Sequence, residues 1–319
     1  MGKLIGIGEA LIDMIPAESG KMIKDVAAFS PIVGGAPANV CGAFSKLGGE
    51  SYMVTQLGND PFGDKIIDNF TKFNIGTEYI SRTSEANTAL AFVALMEDGN
   101  REFSFYRNPS ADMLLDSASI KKEWFTDSFA LHFCSVSLGD TPMKQAHKRV
   151  IEYALEAGNI ISFDPNLRFN LWESEEKLKQ AVLEFLPYAH VLKVSDEELE
   201  FITGITDESE AVKSLFVGNV SLVLYTKGAD GAEAYTKNET AHADGVKVKA
   251  FDTTGAGDAF IGSFLFNLER ALAGNKRIDD LSKETLEKML QFSNRYCAKS
   301  VMKPGAIASY PSLSEMQQL

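Results

Sequence analysis

The 319-residue sequence predicts an α/β fold built on a mostly parallel sheet. Short apolar runs alternate with helical patterns, as expected when each helix connects one strand to the next parallel strand. Polar and glycine-rich segments follow several of these runs directly, where the binding loops of parallel sheets gather. The predicted strands are 4–7, 130–134, 160–163, 191–194 and 221–225, with helical patterns at 141–157 and 173–186.

Composition excludes several classes of protein. There are 31 Lys and Arg against 44 Asp and Glu, a net charge of −13, whereas a nucleic-acid-binding protein is expected to be basic. The longest unbroken apolar run, 89–96, is well below the roughly 20 residues of a membrane-spanning helix. Three widely spaced cysteines argue against a disulfide framework. We therefore expect a cytoplasmic protein without nucleic-acid or membrane partners.

Two segments, 10–32 and 88–107, have a different character from the rest. Residues 88–96 and 101–106 are rich in strand formers, and turn chemistry at Asp98-Gly99 lies between them. This pattern is typical of a β-hairpin. The two segments predict a second, small β element beside the main sheet.

The sharpest motif is Asp252-Thr253-Thr254-Gly255-Ala256-Gly257-Asp258. Thr253 or Thr254 is expected to cap a helix that begins at residue 255 or 256. The free N–H groups of its first turn, together with the helix dipole, would hold an anion. Asp258 would lie beside that anion and could accept a proton from an attacking hydroxyl, as phosphoryl transfer to an alcohol requires. A capped helix with an aspartate favoured by the dipole is the structural alternative.

The segment Gly34-Gly35-Ala36-Pro37-Ala38-Asn39 has two glycines before another predicted helix. Asn39 carries both donor and acceptor groups, which suits sugar hydroxyls, although it could equally be a capping residue. Asp13 follows the first strand, where ligand sites gather at the carboxyl ends of parallel strands. By itself it could be a turn residue.

Two more loops follow predicted strands. Arg168, at the end of the run 164–168, could donate two hydrogen bonds to substrate oxygens or form a surface salt bridge. Ser195 and Glu198 match a capping box, and Glu198 could also help to organise a hydrated magnesium ion.

The loop 225–231 follows the last of the predicted strands and contains Gly228 and Gly231. These glycines would allow the backbone to turn against a flat or phosphorylated ligand. An ordinary hairpin turn explains the same residues.

With these segments in view, residues 3–311 resemble the PfkB (ribokinase-like) family of carbohydrate kinases. The stretch 252–260 resembles the family's C-terminal signature. The stretch 34–63, with its Leu47-Gly48-Gly49 and 57–63 segments, resembles the N-terminal signature. Within the family, 8–13 and 34–39 are most similar to fructokinases.

The resemblance implies one doubly wound α/β domain over residues 1–319, with lid inserts at 10–32 and 88–107. It implies transfer of the ATP γ-phosphate to a sugar hydroxyl, O6 of fructose for a fructokinase. Asp258 matches the catalytic base, and Gly255, Ala256 and Gly257 match the anion hole. Positions that match sugar-binding residues are Asp13, Gly34, Gly35, Asn39, Phe105, Arg107 and Arg168.

The resemblance also implies positions for the nucleotide and for ions. The nucleotide positions are Lys193, Ser195, Lys227, Gly228, Gly231 and Asn294, with Glu198 near magnesium. Some family members bind a monovalent cation in a loop matching Asp252, Thr254, Ser300, Lys303, Gly305 and Ser309, so potassium activation is an open expectation. The family often has asparagine where this chain has Ser195, which puts a direct phosphate contact from that position in doubt.

Three functional alternatives follow. Fructokinase is the first. A 2-keto-3-deoxygluconate kinase is the second, with Arg107 and Arg168 as partners for the substrate carboxylate. A non-catalytic sugar-binding regulator on a kinase fold is the third, since fold does not determine function. Exposed edges of the lid strands lead us to expect a homodimer through the lid.

Overall fold

The computed structural model describes residues 2–18, 20–95, 101–274 and 276–317. The turn predicted at Asp98-Gly99 lies outside these residues. The strands, in chain order, are β1 Lys3–Ile7, β2 Leu11–Pro16, β3 Phe29–Gly34, β4 Ser51–Gly58, β5 Ile75–Gly76, β6 Ile80–Thr83, β7 Leu90–Leu95, β8 Arg101–Tyr106, β9 Ser128–Cys134, β10 Ile160–Asp164, β11 Val191–Ser195, β12 Leu222–Thr226, β13 Gly231–Tyr235 and β14 Thr240–Asp244. The α-helices are α1 Ala36–Lys46, α2 Pro61–Lys72, α3 Pro142–Glu156, α4 Glu175–Phe185, α5 Asp196–Thr203, α6 Glu208–Ser214, α7 Ala256–Ala271, α8 Lys283–Ser300 and α9 Leu313–Gln317.

The large sheet has the order β14-β13-β12-β11-β10-β9-β1-β4-β5, and β6 pairs with β4. Its strands are parallel except for the hairpin ladders β12–β13 and β13–β14. The chain builds outward from β1 through β4 in one direction, and from β9 through β12 in the other. Strand order therefore reverses between β1 and β9, and such a reversal opens a crevice at the carboxyl ends of the strands.

Each face of the large sheet is covered by helices. One apolar cluster joins alternate strand residues such as Leu4 and Ala130 to side chains of α1, α2, α7 and α8. The other joins Ile5 and Leu131 to α3, α4, α5 and α6. Consecutive strand residues point to opposite faces, so both sides of the central strands are buried. This arrangement confirms the predicted doubly wound α/β class.

The small sheet has the order β3-β2-β7-β8. It is antiparallel except between β2 and β7, where Asp13 lies opposite Ala91. The predicted second β element is thus confirmed, and its two halves come from the two segments expected. Because β2 follows β1 directly, the small sheet stands over the carboxyl end of the large one.

Helix α7 packs against both α1 and α8. A Cβ atom at Gly262 of α7 would come within 2.6 Å of the Ala43 Cβ and 2.8 Å of the Val40 carbonyl oxygen of α1. The two helices therefore approach more closely than any side chain at residue 262 would permit. This contact brings the N-terminus of α7 toward α1. Within the described part of the chain, no helix has the length and apolarity needed to cross a membrane.

We expect Gly262→Ala to lower the free energy of unfolding by about 1–3 kcal/mol, because the added methyl group must separate α1 from α7. Gly139→Ala is the matched control, since a Cβ there meets nothing within 4 Å. Urea unfolding followed by circular dichroism measures both variants. Equal stability of Gly262→Ala and wild type would contradict the close approach of the helices.

Candidate active site

The N-terminus of α7 is formed by a glycine rather than by a capping side chain. Gly255 occupies the N-cap position in the left-handed conformation, with φ 72°, and no side chain caps the helix. The predicted threonine cap is therefore wrong: the Asp252 carboxylate accepts from the Thr254 N–H at 2.9 Å. The Tyr310 hydroxyl donates to the Gly255 carbonyl at 2.8 Å and anchors the turn.

The first turn of α7 has the donors that an anion needs. The Ala256 N–H already donates to the Thr253 carbonyl at 3.2 Å, so it is engaged within the turn. The N–H groups that follow in a first helical turn have no intrahelical acceptor, and the helix dipole favours negative charge there. Residues 255–258 can therefore bind a phosphoryl group, with Ala256 contributing less than Gly257.

Asp258 lies in that turn with only 6% of its surface exposed. Asn39 of α1 donates its amide to one carboxylate oxygen at 2.9 Å, and Asn166 approaches the other at 3.4 Å. Burial raises the pKa of Asp258, while the Asn39 hydrogen bond and the charges of Arg168 and Lys193 oppose that rise. A buried carboxylate held by neutral amides is suited to accept a proton.

Asn39 has a different part from the one the sequence indicated, and Asn166 is a residue the sequence did not single out. Asn39 was expected to bind sugar, and the structure places its amide nitrogen on Asp258. Its Oδ1 atom is buried and accepts no hydrogen bond from the described residues, so it can accept one from a ligand. The sequence signal for Asn166 was its position in the loop after β10, whereas its left-handed backbone, φ 44°, is seen only in the structure.

Asp13 and Arg168 face the same region. Burial raises the pKa of Asp13 to about 7, and the nearby Arg168 opposes that rise; the charges of Glu9, Asp252 and Asp258 add to it. A Cβ at Gly34 would lie 2.1 Å from an Asp13 carboxylate oxygen, so the glycine leaves room for this side chain. Arg168 is exposed and donates to its neighbour's carbonyl at 2.9 Å. The predicted sugar-binding residues Asp13, Gly34 and Arg168 are thus brought together.

Arg107 occupies a different setting from the one expected. It forms an ion pair with Asp112 in which the two side chains are 7% and 1% exposed. The negative charge of buried Glu9 also lies close to it. Sequence reasoning missed both carboxylates as partners of Arg107. Asp112 is only five residues away but belongs to no motif that the sequence singled out, and Glu9, although it lies in the segment 8–13, is distant from Arg107 in the chain.

Glu9 fastens the base of the small sheet. Its carboxylate accepts from the Ala36 N–H at the start of α1 at 3.2 Å and from the Ser137 hydroxyl at 2.9 Å. Phe105 of β8 packs nearby against Leu11, Ala89 and Ala91. These contacts position the predicted substrate-binding side of the small sheet.

Glu198 connects two of the predicted loops. Its carboxylate oxygens accept from the Leu167 N–H at 2.8 Å and from the Ser195 N–H at 2.9 Å. The predicted capping box is therefore present at the start of α5. Among the described residues, no group of three His, Cys, Asp or Glu could hold a metal ion. The predicted magnesium role of Glu198 therefore stays a prediction, and the contacts seen here are those of a carboxylate that joins two loops.

Comparisons with known proteins agree with this geometry. The model of the pfkB family of carbohydrate kinases matches residues 1–313. The chain belongs to that family.

The chain is 41% identical over 316 residues to probable fructokinase-2 of Arabidopsis thaliana, covering 98% of this chain and 93% of that protein. The crystal structure of a fructokinase with bound ATP from Xylella fastidiosa is 35% identical and covers 99% of this chain and 97% of its own, with a TM-score of 0.91. A fructokinase double mutant from Vibrio cholerae O395, solved with fructose, ADP and potassium ion bound, is 31% identical, with a TM-score of 0.86 and coverage of 100% and 98%.

In this pfkB-family chain, Lys227 makes ion pairs and a backbone hydrogen bond at the hairpin that follows β12. The Lys227 ammonium lies 3.0 Å from Glu208 and 3.3 Å from Glu233. Gly228 begins the hairpin turn, and the Lys227 N–H donates to the Gly231 carbonyl at 2.8 Å. The structural alternative, a hairpin turn, is thus correct for these glycines, and nucleotide contact remains a prediction.

Asn294 of α8 is likewise engaged with backbone. Its amide donates to the carbonyls of Ala243 and Asp244 at 2.9 and 3.0 Å. This holds the end of β14 against α8, beside the exposed residues Val246 and Val248 of the segment that leads to α7. Asn294 therefore fixes the position of the chain at the end of β14, and its contact with the nucleotide stays a prediction.

The residues of the predicted cation loop meet beside α7. The Asp252 carboxylate accepts from the N–H groups of Thr254 and Gly305 at 2.9 and 3.0 Å. The hydroxyls of Ser300 and Ser309 donate to carbonyls of their own turns at 2.7 and 2.8 Å. Lys303 is exposed on the same loop. Asp252 thereby fastens the loop 300–309 to the start of the signature motif.

The raised pKa of Asp13 predicts a pH-dependent stability. Its pKa rises from an ordinary 3.8 to about 7 in the folded state, so the folded protein loses stability as pH rises from about 4 to 7. We expect Asp13→Asn to be about 1–3 kcal/mol more stable than wild type at pH 8 and equally stable at pH 4, while losing sugar phosphorylation. Urea unfolding at both pH values measures this.

The control is Asp140→Asn, which makes the same substitution at an exposed aspartate. If the stability difference between Asp13→Asn and wild type does not change with pH, the pKa of Asp13 is not raised in the folded protein.

Proposed function

We propose that this carbohydrate kinase phosphorylates fructose at O6 with ATP. The observation that carries the proposal is the buried carboxylate of Asp258 in the first turn of α7, beside donors suited to a phosphoryl group. The names of the similar proteins support fructose as the substrate.

The reaction needs one proton acceptor and one anion site, and residues 255–258 supply both. Asp258 takes the proton as the sugar oxygen forms its bond to the γ-phosphorus and the bond to the leaving ADP oxygen breaks. The N–H groups at the start of α7 stabilise the charge on the transferring group. Asn39 keeps the Asp258 carboxylate oriented. Magnesium bound with ATP would neutralise phosphate charge, with Glu198 beside its waters.

The net charge of −13 repels ATP at long range, so nearby positive groups must attract it. Lys193, Lys227 and the positive end of α7 are suited to this, and screening limits the repulsion to about 8 Å at physiological salt.

We propose potassium activation through the loop fastened by Asp252, since the Vibrio cholerae fructokinase was solved with a potassium ion bound. The described cysteines are free, and we propose a reducing, cytoplasmic compartment.

The contacts of Arg107 argue against a keto-acid substrate. To bind a substrate carboxylate, Arg107 would have to give up its contact with Asp112, and the negative charge of Glu9 close by would repel that carboxylate. Only Arg168 of the two candidate arginines is exposed. The site thus offers a keto acid one exposed arginine rather than two, which favours a neutral sugar over 2-keto-3-deoxygluconate. The buried Asp258 in turn argues against the non-catalytic regulator, because a carboxylate so placed costs stability that binding alone would not require.

The small sheet supports a homodimer. Ile15, Ile32 and Phe103 are each about two-fifths exposed, and the strand registers place them on the same face as Asp13. A second copy that presents the same face would cover this apolar surface in a two-fold arrangement. We propose that this lid pairing also shields the sugar from water.

We expect Asp258→Asn to lower the kcat for fructose phosphorylation by about 10²–10⁴, with ATP affinity retained, because the amide cannot accept the proton. A coupled ADP-release assay measures turnover, and 2-keto-3-deoxygluconate serves as the competing substrate. Asp64→Asn, also in the first turn of a helix but exposed, should behave as wild type. Near-normal turnover by Asp258→Asn would remove this residue from the mechanism, and preference for the keto acid would refute fructose.

Sedimentation tests the lid pairing. We expect wild type to sediment as a dimer and Ile32→Glu as a monomer, because the charge would be buried unpaired between the copies. Tyr106→Glu is the control, since Tyr106 is exposed on the opposite face of the same sheet. A dimer that survives Ile32→Glu and dissociates with Tyr106→Glu would place the interface elsewhere.

A further inference from the structure

A buried ion pair lies beneath the first turn of α7. The Lys193 ammonium of β11 is 3.0 and 3.2 Å from the two carboxylate oxygens of Asp164 on the neighbouring strand β10. The two side chains are 7% and 1% exposed. Within the described part of the chain, only the pair Arg107–Asp112 is buried as deeply. The Lys193–Asp164 pair thus belongs to the core of the large sheet.

The ammonium lies against the proposed phosphate site. A Cβ at Gly257 would be 3.3 Å from the Lys193 nitrogen, so this nitrogen borders the second residue of α7. Its charge also reaches Asp258, whose pKa it lowers against the effect of burial. Lys193 therefore has one carboxylate beneath it, on Asp164, and another beside it, on Asp258.

The N-terminus of α7 disfavours a positive charge beside it, and the carboxylates of Asp164 and Asp258 offset that effect. The N-terminus of a helix carries partial positive charge, so a lysine beside it is repelled. A buried ion pair stabilises a fold little or not at all relative to apolar side chains of similar size. Neither fact explains a lysine at this position. A bound phosphoryl group would be attracted both by the Lys193 ammonium and by the N-terminus of α7, so it would stabilise their placement side by side.

The remaining groups around the pair leave Asp164 as its principal counter-charge. His132, on β9, is buried, and burial lowers its pKa to about 3, so it is neutral. It contacts the Ser162 hydroxyl at 3.0 Å. Glu198 also acts on Lys193, but its oxygens accept from backbone N–H groups. The neighbouring carboxylates, Asp164 foremost, raise the pKa of Lys193, so the lysine remains charged.

We propose that Asp164 is a positioning residue for phosphoryl transfer. Its carboxylate holds the charged Lys193 ammonium under residues 255–258, where the ammonium donates a hydrogen bond to the transferring phosphoryl group. Lys193 keeps its proton throughout, and Asp164 touches neither substrate. The inference deepens the proposed function and rests on it.

The test is a set of kinetic measurements on Asp164→Asn, Lys193→Met and the double variant. The neutral amide should let the ammonium shift, and Asp164→Asn should lose about 10–100-fold in kcat with the fructose KM within about threefold. Lys193→Met should lose about 10²–10³-fold. Because Asp164 acts through Lys193, the double variant should have the kcat of Lys193→Met alone.

Ser162→Ala is the matched control, since Ser162 lies on the same face of β10, two residues earlier, and is equally buried. It should change stability but not kcat. Asp164→Asn with wild-type kcat, or a double variant whose losses multiply, would overturn the proposal. Should Asp164→Asn fail to fold, the double variant leaves neither charge unpaired, and its comparison with Lys193→Met decides the question. Absence of fructose phosphorylation by wild type would instead refute the proposed function.

Discussion

The site depends on one carboxylate that is buried at the start of a helix. Asp258 would be fully hydrated if α7 began at the surface, and its proton affinity would then be that of an ordinary aspartate. Burial raises its pKa, while the helix N-terminus and the Asn39 amide keep the ionised form accessible. The balance of these opposing effects leaves a carboxylate that is suited to the proposed role of proton acceptor.

That balance requires α1 and α7 to approach closely. Asn39 reaches Asp258 because Gly262 lets the two helices pack almost backbone to backbone. Both helices cover the same face of the large sheet, close to the point where strand order reverses. The packing of α1 against α7 therefore also sets the geometry of the site, because separating the two helices would move the Asn39 amide away from the Asp258 carboxylate.

The charged side chains around Asp258 differ in burial and in pairing. Arg107 is neutralised by Asp112 near the base of the small sheet, whereas Arg168 remains exposed beside Asp13. Beneath α7, Asp164 holds Lys193 close to the positive end of the helix. The cation near the small sheet, Arg107, is thus paired, which favours a neutral sugar there. The cation beneath α7, Lys193, lies where the phosphates of a nucleotide are proposed to bind.

The sequence by itself determined the fold class, the small sheet, the family and the start of a helix at residue 255 or 256, because strand and helix patterns and the signature motif are local. It also indicated the capping box at Ser195, since both partners lie within one turn. Only the tertiary structure decided that Asn39 holds Asp258, that Arg107 is paired with Asp112, and that a glycine rather than a threonine begins α7. The Asn39–Asp258 contact joins distant segments, and the burial of Arg107 with Asp112, although they are near each other in the chain, depends on how the sheets and helices pack. No local pattern encodes which charges remain in water.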